Sequence, residues 1–288
     1  MQGIIVKGIA GFYYVKVENK VYQCKARGKF KKLGVVPTVG DIVEIQVLDD
    51  GDGVVNEILP RRNYFLRPPI ANVDCMVVVI SAADPEPNFT ILDKFLVMAE
   101  GNRTDAVICV NKVDIASKEI LIKIKEIYEN LYPLVFVSCI EKTGFQDLEL
   151  LLKNKKSALA GPSGVGKSTI LNCLMPSENI EVGEISRKTR RGKHTTRHVE
   201  IFETNFGAML FDTPGFTSFE ILEAEEDQLH FYYPEMAEYI CNCKYDNCRH
   251  IKEPFCGVLA AVEKGLISKS RYKSYVEQMV EIRDKKKY

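Results

Sequence analysis

Short runs rich in β-branched and aromatic residues fill the first 60 or so positions. They cover Ile4–Ala10, Phe12–Glu18, Val21–Arg27, Asp41–Val47 and Val54–Leu59, and Gly11, Asn19-Lys20, Pro37, Gly40 and Asp49–Gly53 separate them as turns. Five strands in this length predict a small closed barrel of the OB type; the same pattern also suits an SH3-like barrel. After Arg67-Pro68-Pro69 the pattern changes. Val73–Ile80, Ala106–Val110, Leu134–Val137, Ala158–Ala160 and Ala208–Phe211 read as buried strands. Helical stretches between them begin at Thr90, with Asp93 three residues on as a capping box, and at Ser117. Alternating buried strands and amphipathic helices predict a parallel α/β sheet. Beyond about residue 220 the chain turns acidic, then cysteine-rich, then helical from Gly257 onward. Three domains are expected, at 1–66, 67–220 and 221–288.

Composition sharpens this picture in two ways. Lys plus Arg equals Asp plus Glu at 39 each, so attraction for nucleic acid must come from local patches. No apolar run is long enough to span a bilayer and no signal-peptide core is evident, which predicts a cytoplasmic protein without a membrane partner. Of nine cysteines, Cys75, Cys109, Cys139 and Cys173 lie in or beside apolar runs, as small core residues do, and four crowd between 241 and 256.

The chemistry begins with Gly161-Pro162-Ser163-Gly164-Val165-Gly166-Lys167-Ser168, a phosphate-binding loop placed after a strand and before a helical run, with Thr169 next to it as a further nucleotide-binding residue. Glycines let backbone N–H groups converge on one anion, and a helix N-terminus adds positive potential. Lys167 is expected to reach the β- and γ-phosphates, and Ser168 to ligate Mg²⁺. Asp212-Thr213-Pro214-Gly215 follows a strand and supplies an aspartate for the Mg²⁺ side and a glycine N–H for the γ-phosphate.

Asn111-Lys112-Val113-Asp114 decides the base. A carboxylate offers two acceptors that match the paired N1–H and N2–H donors of guanine, and adenine presents no such pair. Ser138-Cys139 forms a second base-side element where Ser-Ala-Lys is the common form. The order is therefore base, base, phosphate, switch, Mg²⁺, a circular permutation of the usual GTPase order. Between the phosphate loop and Asp212, Arg187–His198 holds six Lys or Arg and no acid. Thr196 is the preferred switch ligand of Mg²⁺, with Thr195 beside it, and His194 is a candidate for positioning water. Phe216 stands where a glutamine orients the attacking water in Ras-type GTPases, which predicts slow intrinsic hydrolysis accelerated by a partner.

Cys243-x4-Cys248-x-His250-x5-Cys256 offers three thiolates and an imidazole, a closed set for one structural Zn²⁺, with Cys241 as a spare thiol. Basic residues from Lys16 to Lys32 interleave with Tyr14, Tyr22 and Phe30, a composition suited to looped RNA. Arg187–Arg197 and Lys285–Lys287 add candidate phosphate contacts.

Taken together, the sequence resembles the bacterial small-ribosomal-subunit-dependent GTPases, the RsgA (YjeQ or EngC) family. The resemblance runs through Arg27-Gly28-Lys29-Phe30, Val39-Gly40-Asp41, Arg67-Pro68, Ala71-Asn72-Val73-Asp74, the permuted motifs, Gly192-Lys193-His194-Thr195-Thr196 and the Cys/His set. It implies an OB domain, a permuted GTPase domain and a zinc domain. It further implies GTP and GDP as ligands, action late in 30S maturation on 16S rRNA, and faster hydrolysis on the subunit. A hydrophobic residue after D-x-x-G, as Phe216 is, belongs to the family pattern; Cys139 departs from the commoner alanine. A monomer is the default expectation. The rival reading is a nucleotide-gated RNA-binding module in which hydrolysis is incidental.

Overall fold

Five strands near the N-terminus close on themselves because their small apolar faces have only each other to cover. The computed structural model describes residues 1–49, 51–175, 199–213, 216 and 224–285. Strands β1 (Gln2–Ile9), β2 (Phe12–Val17) and β3 (Lys20–Ala26) form a meander, followed by a short helix α1 (Gly28–Lys32) and strands β4 (Ile42–Val47) and β5 (Gly53–Ile58). β4 pairs antiparallel with both β1 and β5, and β3 pairs parallel with β5, so the order β1-β2-β3-β5-β4 returns to β1. That closure, with a helix between β3 and β4, is the OB arrangement rather than the SH3-like one. Ile5, Val15, Cys24, Val43, Ile45 and Val55 fill its interior.

A hairpin of β6 (Tyr64–Leu66) and β7 (Pro69–Ala71) follows, where the sequence suggested only a prolyl boundary. Then come β8 (Cys75–Ser81), α2 (Phe89–Gly101), β9 (Asp105–Asn111), α3 (Lys118–Tyr128), β10 (Leu134–Val137), α4 (Phe145–Leu152), β11 (Lys156–Ala160) and α5 (Lys167–Leu174). The remaining elements are β12 (Glu200–Glu203), β13 (Met209–Asp212), α6 (Ala237–Ile240), α7 (Gly257–Glu263) and α8 (Lys269–Lys285). Among the described residues no helix is long and apolar enough to cross a membrane.

Two compact units result. The first comprises Met1–Cys75, Phe145–Leu159 and Ser168–Phe216. In it the sheet runs β11-β13-β12 and continues into β1 of the barrel, with β11 and β13 parallel and β12 antiparallel to both β13 and β1. The Lys7–Glu200 pair lies in register across β1 and β12 with its charged atoms 2.9 Å apart, and Lys16 pairs with Glu203. The motif residues around the barrel exit have structural tasks here. Asp41, fully buried, receives both Nε and Nη2 of Arg61 at 2.7 and 2.8 Å. Asn72 donates to the Gly40 carbonyl at 3.0 Å, and Asp74 accepts the Lys156 backbone N–H at 2.7 Å. Gly40 has φ +94, and a Cβ there would sit 2.1 Å from the Ala71 oxygen, so no other residue fits.

The second unit comprises Met76–Gly144, Ala160–Lys167 and Thr217–Tyr288. Its strands lie in the order β10-β9-β8, with β9 and β10 parallel, and β8 is buried along its whole length, as a strand covered on both faces must be. Asn88, not Thr90, caps α2, accepting from the Ile91 N–H at 3.0 Å. Asp93 is therefore no capping residue. It is fully buried and meets Arg271 of α8 at 2.6 Å and the Tyr128 hydroxyl at 2.8 Å. Glu235 completes this knot, accepting from Arg271 Nε and Nη2 at 2.7 and 3.0 Å, and Arg271 lies over the Tyr233 ring at 4.6 Å. Around it Val97, Met236, Val258, Tyr275 and Met279 form the core of the C-terminal region. Cys75 and Cys109 are core residues as expected, whereas Cys173 is exposed.

Candidate nucleotide and metal sites

The phosphate loop is built where β11 ends and α5 begins. Gly161 has φ +142, and a Cβ there would lie 2.2 Å from the Val79 carbonyl, so the loop can hug β8 only with glycine. At Gly166, φ +97, a Cβ would strike Asn111 Nδ2 at 2.3 Å. The second motif thus explains a glycine of the first. Asn111, at the end of β9, passes its side chain across that space and donates to the Val165 carbonyl at 2.9 Å. Its other atom, Oδ1, accepts from the Cys139 thiol at 3.4 Å. One buried amide therefore joins the phosphate loop, the Asn-Lys-x-Asp turn and the Ser138-Cys139 loop.

Lys112 takes a left-handed conformation, φ +64, which throws its side chain back over the phosphate loop. Its ammonium donates to the Gly164 carbonyl at 3.0 Å and to the Asp84 carbonyl. Asp114, half-buried, follows in a 3-10 turn, Val113–Ile115. Ser138 is buried and its hydroxyl accepts the Glu141 N–H at 3.1 Å, closing the second base-side loop.

Lys167 is folded onto its own loop, donating to the carbonyls of Gly161 and Pro162 at 2.6 and 2.7 Å. Burial, which strips the ammonium of water, lowers its pKa to about 8. Ser163 and Gly164 are exposed, as are Ser168 and Thr169 in the first turn of α5, while Pro162 is half-buried. Asp212 ends β13 opposite Glu200, half-buried. Gly215, His194, Thr195, Thr196 and the basic stretch 187–198 lie outside the described residues, as do Lys286 and Lys287. Phe216 is buried, its ring edge-on to Phe65 of β6 at 5.8 Å.

The four metal candidates do converge. Ligand atoms of Cys243, Cys248, His250 and Cys256 all lie within 4.8 Å of one another. Bond lengths of about 2.3 Å to sulfur and about 2.0 Å to nitrogen give tetrahedral edges of about 3.8 Å (S–S) and about 3.5 Å (N–S). The Cys243 and Cys256 sulfurs are 3.8 Å apart, and Nδ1 of His250 lies 3.5 and 3.3 Å from them. The set fits a tetrahedral zinc ion bound through Nδ1. Burial lowers His250 to about 4, leaving a neutral ring with a lone pair to give. Cys241 is exposed and stands outside the cluster.

Several residues that shape this centre carry no sequence signal. Glu253 accepts the backbone N–H groups of Arg249, Ile251 and Lys252 at 3.1, 2.8 and 3.0 Å. Burial raises its pKa, but those donors outweigh it and hold the carboxyl at about 2. From α8, Tyr272 donates to the His250 carbonyl at 2.9 Å and Tyr275 to that of Arg249 at 2.8 Å. On the barrel, Lys20 lies over Tyr22 at 4.6 Å, Lys25 over Phe12 at 5.2 Å and Lys29 over Phe30 at 5.4 Å, although the Phe30 ring itself is buried.

Comparison with known proteins agrees with this geometry over the whole chain. The model of the RsgA N-terminal domain matches residues 2–55, and that of the RsgA GTPase matches residues 58–222. A protein of Caldanaerobacter subterraneus subsp. tengcongensis, named small ribosomal subunit biogenesis GTPase RsgA, is 43% identical over 288 residues, covering 100% of this chain and 97% of its own. A protein of the same name from Clostridium acetobutylicum is 44% identical over 289 residues, with 100% of both covered. The crystal structure of YjeQ from Thermotoga maritima superposes with a TM-score of 0.84 at 36% identity, covering 98% of each chain. YloQ, described as a circularly permuted GTPase, superposes with a TM-score of 0.82 at 37% identity over 99% of this chain and 95% of its own. With the permuted nucleotide loops locked together through Asn111, a barrel ahead of them and a Cys/His cluster behind, the chain belongs to the RsgA GTPase family of GTP-hydrolysing enzymes.

Proposed function

We propose that this GTPase binds the 30S ribosomal subunit through 16S rRNA, acts late in the subunit's maturation, and hydrolyses GTP to GDP and phosphate faster on the subunit than alone. The observation that carries the nucleotide part is the convergence on Asn111, which brings the base-recognition and phosphate loops into one site. In this reading Asp114 takes the paired donors of guanine, Lys112 braces the phosphate loop, and the loops of Ser138-Cys139 and Gly161–Gly166 close around base and phosphates. Lys167 leaves its two carbonyls for the β- and γ-phosphates. Ser168 and Thr196 would hold Mg²⁺, with Asp212 on the same side, and the ion would supply charge neutralisation at the phosphates. Gly215 gives its N–H to the γ-phosphate, and His194 orients water.

The four residues Cys243, Cys248, His250 and Cys256 hold one Zn²⁺ per chain, which fixes the 243–256 segment beside the hydrophobic core that Val258, Tyr275 and Met279 help to form. Functional domains divide at about residues 66 and 220, giving an RNA-binding barrel, the GTPase domain and the zinc domain. The lysine–aromatic pairs on the barrel support an RNA contact. The protein works in the cytoplasm as a monomer.

Support for the ribosomal role comes from the names of the relatives and from Phe216, which cannot orient water as a glutamine does and so makes an external stimulus necessary. The test is GTP turnover with and without purified small subunits. Stimulation is expected, together with salt-sensitive binding that tightens with a non-hydrolysable GTP analogue. Absence of stimulation removes the ribosomal role and leaves the enzyme class intact.

A further inference from the structure

His230 lies in a 3-10 turn, Leu229–Tyr232, thirteen residues before the first thiol of the Cys/His set and outside every motif. It is 7% exposed, and its ring stands edge-on to that of His250, centroids 5.1 Å apart. Among the described residues neither Nδ1 of His230 nor Nε2 of His250 has a protein hydrogen-bond partner, although both atoms are buried. Both histidines line a pocket of about 230 Å³ that Cys243 and Cys248 of the metal set, Tyr245 and Asp246 also line.

The chemistry of ligation joins these facts. Nδ1 of His250 faces the Cys243 and Cys256 sulfurs, so a metal takes that nitrogen. The neutral imidazole then carries its proton on Nε2, a buried donor that must find an acceptor. Metal-bound histidines are generally oriented by a partner on the other ring nitrogen. We propose that His230 is the positioning residue of the metal centre, its Nδ1 serving as the acceptor for the Nε2–H of His250. His230 thereby fixes the tautomer and ring plane of His250. The inference rests on the zinc reading of the Cys/His set.

The test uses the full-length, zinc-loaded chain. Zinc content is measured by elemental analysis, and release is followed with a chromogenic chelator for wild type, His230→Leu and His230→Gln. Leucine matches bulk without an acceptor, whereas glutamine keeps one. Release from His230→Leu is expected to be faster by about tenfold or more, the usual scale for such partners, with His230→Gln within about threefold of wild type. Release from His230→Leu at the wild-type rate, or from His230→Gln as fast as from His230→Leu, overturns the proposal. Long-range ¹⁵N NMR of the wild type provides a check independent of folding in the variants. His250 must carry its proton on Nε2 and His230 must lack one on Nδ1; the opposite tautomer of either ring overturns it. A wild-type chain without zinc brings down the metal reading and this inference together, whereas one zinc with unchanged release brings down the role of His230 alone.

Discussion

Arg271 Nη1 lies 2.6 Å from Oδ1 of Asp93, and neither side chain has any exposed surface. The pair joins α8 near the C-terminus to α2, 178 residues earlier in the chain, with Tyr128 and Glu235 as further partners. Buried charges that lose a partner are expensive. Arg271→Leu should lower unfolding free energy in urea by about 3–5 kcal/mol, because it strands Asp93 and Glu235 together. Asp93→Asn should cost less, since the amide still accepts from Tyr128 and Glu235 still faces the guanidinium. Equal losses for the two variants would contradict this account.

Asp114 provides a test of base selectivity. Asp114→Ala should weaken GDP binding at least a hundredfold, on the order of 3 kcal/mol, because two guanine donors lose their acceptors. Asp114→Asn, which turns one acceptor into a donor, should shift preference toward xanthosine diphosphate. Calorimetric titration with GDP and xanthosine diphosphate reads both effects. Equal binding of ATP and GTP by the wild type would refute the assignment.

Nucleotide affinity should depend on pH through Lys167. In the nucleotide-free loop its pKa is lowered to about 8, and phosphate oxygens favour the protonated form, so binding raises it. Below about pH 8 the ammonium is present before and after binding, and affinity is flat. Above it a proton must be taken up, and affinity falls until the pKa of the bound state is passed. Titrations with a fluorescent GDP analogue from pH 7 to about 9.5 should show the decline, and calorimetry near pH 8.5 in two buffers should show proton uptake.

Phe65 and Phe216 meet edge-to-face at 5.8 Å, with 3% and 2% of their surfaces exposed. Each change to alanine should cost about 3–5 kcal/mol, and the double variant should fall short of additivity by about 0.5–1.5 kcal/mol. Phe216→Gln should lose stability without a gain in intrinsic GTP turnover, because it sets an amide in an apolar contact. Faster turnover in that variant would argue that the phenyl ring merely occupies a glutamine's place.

What could be foreseen from the sequence was what a ligand dictates locally. The spacing of Gly161, Gly166 and Lys167, the Asn111–Asp114 turn and the Cys/His set follow from the sizes of a phosphate, a purine edge and a tetrahedral ion. Their geometry is carried within a few residues of chain. Asp93 could not be read this way, because its capping pattern and its buried partnership with Arg271 use the same letter. Phe30 looks like a surface residue until the barrel gives it neighbours, and Phe65 carries no signal until the β6–β7 hairpin sets it against Phe216. His230 is silent in sequence for the same reason: its significance arises only where it meets His250.

The seam between β1 and β12 has a mechanical consequence. β12 is the first described strand after the basic stretch 187–198, and Lys7–Glu200 and Lys16–Glu203 rivet it to the barrel wall. A slip of one residue along that seam would turn Ile201 out to water and its neighbours inward, so the strands cannot slide as a bearing would. Whatever grips the barrel therefore also holds β12, the strand into which that stretch of sequence leads.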